Sequence, residues 1–210
     1  NLFAREWYAR SDTALNDGIL MSNPLLESYT LPPFDRLLPE HVVPGIAAIL
    51  AENRAAIAKL GSAPATWEAV PAVLEQLQDR LDHAWAPVSH LNAVMNSEAW
   101  REAYNGTLPK LAAYSTELGQ NEALFTVYEA LEKSRGFADF NQAQQQSIRY
   151  ALRDFRLSGI GLPADKKKRF ADIQEKFAEL SSGFADSVLD ATQAWGLCLD
   201  DDSRLGGLPD

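Results

Sequence analysis

Histidine is the side chain best suited to hold a metal or move a proton near neutral pH, and this sequence has three: His41, His83 and His90. His83 and His90 lie seven residues apart, which is about 10 Å along a straight helix. Zinc-bound nitrogens sit about 2 Å from the ion they share. With Pro87 between them as well, the spacing predicts separate roles: a surface position for His83 and a hydrogen-bonded structural one for His90. His41 follows Glu40 in what reads as the first turn of a helix, where capping or solvent exposure accounts for it. The H-E-x-x-H signature, in which two histidines one turn apart hold zinc and the glutamate activates water, does not occur in the sequence.

The other reactive groups read the same way. Asp79 with Asp82, and Glu175 with Glu179, share helix faces, but 29 acidic residues on a helical chain create such pairs by chance. Lys166-Lys167-Lys168-Arg169 spreads around most of a helix circumference and is flanked by Asp165 and Glu175, so it reads as a solvated face. Gly159-Ile160-Gly161 lacks the third glycine and the lysine-serine ending of a phosphate loop and predicts a tight helix–helix turn. Ser158 has no nucleophile-elbow pattern around it. Cys198, the single cysteine, cannot form an internal disulfide and is expected to be a buried, inert small hydrophobe. From the residues alone we expect no catalytic, cofactor-binding or metal-binding site in this chain.

These groups must be carried by helices. Pro39 stands at a position that needs no amide donor, and Val43, Ile46, Leu50, Ile57 and Leu60 follow at helical spacing until Gly61. Asn53 fills a slot in that stripe and is expected at its solvent edge. Thr66 is the expected cap of a second helix bearing Val70, Leu74, Leu77, Leu81, Trp85 and Val88, which Pro87 should kink or end. Ser97 caps a third, interrupted by Pro109 and stopped by Gly119. A shorter segment carries Leu124, Tyr128 and Leu131 and closes at Gly136. Asn141 with Gln144 has the form of a capping box before Ile148, Leu152 and Phe155. Pro163 opens the longest helix, with Phe170, Ile173, Phe177, Leu180, Phe184 and Val188 on one stripe. The short connection before it predicts an antiparallel hairpin with the preceding helix. Gly196-Leu197-Cys198-Leu199 reads as a short strand before three aspartates. The expected fold is therefore all-α, a bundle of about six or seven helices with a long hairpin and a short strand near the C-terminus.

Composition sets outer limits. Hydrophobic residues make up 46% and charged residues 23%, ordinary for a globular protein. A net charge of −10 opposes phosphate backbones and anionic lipid, so neither nucleic acid nor membrane is an expected partner. No apolar run approaches the roughly 20 residues that span a bilayer. Residues 1–20 lack the continuous apolar segment of a secretory signal, and we expect a cytoplasmic chain. Met21 followed by Ser22-Asn23-Pro24 reads as a natural start, and the expected division is 1–20 an upstream extension, 21–195 the helical domain, and 196–210 the start of a truncated next segment.

Several stretches carry a family resemblance. They are Leu31-Pro32-Pro33-Phe34, Pro39-Glu40-His41-Val42-Val43-Pro44, Pro87-Val88-Ser89-His90-Leu91-Asn92, Arg101-Glu102-Ala103-Tyr104 and Thr107-Leu108-Pro109. Tyr114-Ser115-Thr116, Gly119-Gln120, the run from Ala151 to Pro163, Val188-Leu189-Asp190-Ala191-Thr192 and Trp195 continue the series in order. With these the chain from Met21 onward resembles the front portion of the thimet oligopeptidase family of zinc metallopeptidases. The resemblance implies a mostly helical, two-lobed enzyme that cuts short peptides in a deep channel, with zinc held in the later lobe by H-E-x-x-H and a further glutamate. None of those ligands or catalytic groups falls on a position of this chain. The expectation is the channel-wall portion of such a zinc-dependent peptidase, inactive alone. The rival readings are a free-standing helical module that binds peptides or proteins without cutting them, and a separate enzyme using other groups.

Overall fold

Helix starts follow the capping chemistry. The structure is a computed structural model that describes residues 23–198; the extension expected at 1–20 lies outside the described residues. Six α-helices and two short 3-10 turns run through it. In α1 (Pro39–Leu60) the ring of His41 accepts the Leu38 amide at 3.1 Å, so His41 is a capping residue. Ser97 accepts from the Trp100 amide ahead of α3 (Glu98–Gly119), and Asn121 from the Leu124 amide at 3.0 Å ahead of α4 (Glu122–Lys133). At α5 (Gln142–Leu157), Asn141 and Gln144 exchange side-chain-to-amide bonds of 2.9 and 3.1 Å, the reciprocal box the sequence predicts. Pro163 precedes α6 (Ala164–Ala194).

Two boundaries differ from expectation. Helix α2 (Pro71–Met95) starts at Pro71, and Thr66 instead accepts the Ala69 amide within the preceding turn. Pro87, expected to kink or end α2, does not end it, since the helix runs on to Met95; Pro109, expected to interrupt α3, lies inside a helix that runs to the predicted stop at Gly119. A mid-helix proline forfeits a hydrogen bond and crowds the preceding turn, but Pro87 and Val88, and Thr107 and Tyr114 around Pro109, are buried against neighbours that hold the backbone helical.

The core lies around α1, which packs against both α2 and α3, while α4 and α5 pair with each other. Ile46, Ile49 and Leu50 of α1, Val88 of α2, and Leu124, Leu131, Ile148 and Leu152 of the α4–α5 pair are all at most 1% exposed. Asn53, expected at a solvent edge, is fully buried. Its amide donates to the Leu77 carbonyl at 3.2 Å and to the Tyr114 hydroxyl at 3.3 Å, tying three helices together.

The chain before α1 is clamped onto it by Asn23, 2% exposed, whose side chain donates to the His41 carbonyl at 2.8 Å and accepts the Leu25 amide at 3.0 Å. Gly45 makes room for that clamp: a Cβ there would stand 2.8 Å from Asn23 Nδ2. Alanine in a helix normally gains up to about 1 kcal/mol over glycine. Here the displaced, buried amide outweighs that gain, so Gly45→Ala should lower stability by about 1–2 kcal/mol in a urea melt. A neutral or stabilising result would show that Asn23 is free to move.

The long hairpin is not formed. Helix α6 packs along α3, not α5. Gly159 turns the chain at φ +81°, a conformation that favours glycine, and Ile160 enters the core. The apolar face of α5 is already covered by α4, so it has nothing to offer a hairpin partner. The predicted strand is absent at 196–198, and Leu199 lies outside the described residues.

Candidate functional site

The three histidines do not converge. His83 lies flat on Tyr29, ring centroids 4.2 Å apart, and its Nε2 is 3.1 Å from the Tyr29 carbonyl while the Tyr29 hydroxyl donates to the His83 carbonyl at 2.7 Å. His90, expected to be hydrogen-bonded, is instead exposed, makes no side-chain hydrogen bond among the described residues, and meets Phe34 with centroids 5.3 Å apart. The seven-residue spacing thus serves packing. It places two rings on one face of α2, where the segment leading into α1, which turns at Phe34–Arg36, lays Tyr29 and Phe34 across them. His83→Ala should free that segment, and limited proteolysis should cut between 28 and 38 several-fold faster while the helical signal stays unchanged.

The remaining candidates are equally dispersed. Asp79 and Asp82 are exposed, with Asp82 accepting from Gln78. Glu175 is exposed, and Glu179 pairs with Lys176 at 2.7 Å. In the basic run, Lys166 pairs with Asp165, Lys168 with Asp172 and Lys167 with Glu122 of α4. Cys198 is exposed, which corrects the expectation of a buried thiol: the segment after α6 has no core to enter. Among the described residues no group of three or more His, Cys, Asp or Glu side chains is arranged to hold a metal ion. These residues therefore do not fit zinc.

Two features stand out instead. The first is α6, a helix of 31 residues with none buried. Arg101 of α3 makes a two-pronged ion pair with Asp190 and also donates to Asn96 Oδ1 at the end of α2. Asn105 donates to Asp186 at 2.9 Å and accepts from Ser182 at 2.6 Å. Ser182, Asp186 and Asp190 are spaced by four, as are Arg101 and Asn105, so one polar row meets another. The hydrogen bonds from Arg101 hold the Asp190 carboxyl below its usual range. That contribution is present above the ordinary carboxylate pKa and is lost as pH falls through the lowered one. The helix is thus fixed by its polar side. Its apolar stripe, roughly 160° around the helix from that row, points outward: Ile173, Phe177, Leu180, Phe184 and Val188 are 50, 67, 60, 72 and 49% exposed.

The second is a hollow of about 330 Å³ between the start of α2, the end of α3 and the α4–α5 pair. Leu74, Tyr114, Leu118, Tyr128 and Phe155 supply apolar surface. Glu75 and Asp154 are its ionisable rim, with no lysine or arginine in the lining. Burial, reinforced by the nearby Glu75 charge, pushes the Tyr128 hydroxyl well above its ordinary value, so it remains a donor at neutral pH.

The described residues thus form a helical domain with one long helix turned apolar side out. The family described as "Neurolysin/Thimet oligopeptidase, N-terminal domain" matches residues 46–167, and the chain belongs to that family. It is 44% identical over 192 residues to oligopeptidase A of Salmonella typhimurium and 43% identical over 192 residues to that of Escherichia coli; each alignment covers 90% of this chain and 28% of the relative. A probable cytosolic oligopeptidase A of Arabidopsis thaliana is 32% identical over 195 residues, 92% of this chain and 28% of its own length. The chain therefore spans little more than a quarter of these relatives. No helix of the described residues is long and apolar enough to cross a membrane.

Proposed function

We propose that this chain is the helical channel-wall portion, over 21–195, of a cytoplasmic oligopeptidase that hydrolyses short peptides. The observation that carries the proposal is the family match over 46–167 together with relatives named oligopeptidase A, of which the chain spans 28%. The metal implied by the family is zinc, and its ligands belong to polypeptide other than this domain, as do the catalytic groups. The role of the present residues is steric: packed helices narrow an opening so that an extended peptide enters and a folded domain does not. The exposed stripe of α6 supports the same reading, because a row of large apolar side chains outside the core calls for a covering surface. The longer polypeptide of the relatives is the source of that surface.

The test is complementation. The 210-residue chain is co-expressed with the part of Escherichia coli oligopeptidase A that lies beyond the aligned region. The expected result is co-purification and zinc-dependent cleavage of a quenched peptide, with each piece inactive alone. Cleavage by the isolated chain after rigorous purification, or failure of the two pieces to associate, would overturn the proposal.

A further inference from the structure

The hollow between α2, α3 and the α4–α5 pair is a built site that the proposed wall role does not use. Its volume of about 330 Å³ falls in the range of small-ligand pockets. Its surface is mostly apolar and aromatic, and the phenol of Tyr128 remains a hydrogen-bond donor. Its charge is of one sign. Asp154 is engaged by Arg153 at 2.7 Å, on the solvent side, while Glu75 has no ion-pair partner among the described residues. Another cation of this region, Arg54, lies over the Tyr114 ring at 5.7 Å but lines a neighbouring cleft and is held by Glu117.

Apolar walls with a lone carboxylate at the rim fit a ligand with an apolar ring or branch and an ammonium group a few bonds away. An anionic or doubly polar ligand would leave Glu75 opposed and the rings without partners. We propose that this hollow binds the free amino terminus of a short peptide whose first residue is aromatic, the ring entering among Tyr114, Tyr128 and Phe155 and the ammonium meeting Glu75. The site lies within the described helices, so the inference does not depend on the proposed peptidase role. It is read by binding alone, and its failure would leave complementation unaffected.

The probes are phenylalanyl-glycine amide and its N-acetyl derivative, titrated into the full 210-residue chain and followed by amide resonances in NMR. The free amine should shift resonances of the first turn of α2 and of α5 around Ala151. Acetylation, which removes the charge and keeps the ring, should weaken binding about fivefold, the scale of a partly exposed ion pair. Glu75 is exposed, so Glu75→Gln should preserve the spectrum of the fold, weaken the free amine by a similar factor and abolish the preference over the acetylated probe. A preference that survives in Glu75→Gln, equal binding of both probes to the parent chain, or the absence of shifts at the hollow each overturns the proposal. A free amine without the peptide unit, phenethylamine, is the third arm: if it binds as tightly as the peptide, the occupant is a small amine and the peptide assignment fails.

Discussion

Phe177→Glu combined with Phe184→Glu leaves the thermal midpoint of the isolated chain within about 2 °C of the parent, because substitutions of exposed side chains usually change stability by less than about 0.5 kcal/mol. Both rings are more than two-thirds exposed, at 67 and 72%. The helix that carries them is held by Arg101, Asn105 and Glu122 acting on its other side. Ile49→Ala is the contrasting control: a fully buried side chain lost from the centre of α1 should lower stability by about 2–5 kcal/mol. The effect of the double substitution appears on assembly. Two carboxylates placed in an apolar interface without partners oppose its formation strongly, so co-purification with the complementary part of oligopeptidase A and the peptidase activity that depends on it should both be lost. Calorimetry of the isolated chain and pull-down of the pair distinguish the two effects. A large fall in the midpoint would mean the stripe packs within this domain. Unimpaired assembly would mean the covering surface lies elsewhere.

Asn53→Asp should destabilise the fold by about 3 kcal/mol or more at pH 7, since it places a carboxylate of nearly the same shape at a fully buried position. The native surroundings of residue 53 are a carbonyl acceptor from Leu77 and the Tyr114 hydroxyl, with no cation directed at it; Arg54 next to it is exposed and engaged by Glu117. Desolvation therefore raises the pKa of the new carboxyl in the folded state above its unfolded value of about 3.9. The folded chain then binds the proton more tightly than the unfolded one. The penalty is small below the unfolded pKa and grows as pH rises toward the folded one. Urea melts from pH 4 to pH 8 should show the variant losing stability relative to the parent across that interval. A constant difference would show that water reaches residue 53.

Caps, breaks and periodicity were legible along the chain because they are local. Asn141 with Gln144, Ser97, Pro39 and Pro163 act within one turn of themselves, and the helices begin where those residues place them. The ordered series of short motifs from Leu31 to Trp195 was enough to indicate the family. Thr66 did not cap its helix, and neither Pro87 nor Pro109 broke the helix that contains it: burial on both sides of each internal proline offsets the bond it removes. The hollow left no signal, because Glu75, Tyr114, Tyr128 and Asp154 come from four helices whose relative placement no local spacing encodes.

What the sequence determined by itself is the set of helices, most of their ends, and the presence of an apolar stripe on each. What tertiary structure decided is which way the stripes face. Periodicity fixes that Phe177, Leu180 and Phe184 share a side of α6, but a side has no direction until another element claims it. The α4–α5 pair had already closed on its own core, and Arg101 and Asn105 claimed the polar row of Ser182, Asp186 and Asp190. The same competition drew Asn53 inward, where its amide donates to Leu77 and Tyr114 while its Oδ1 is buried without a partner.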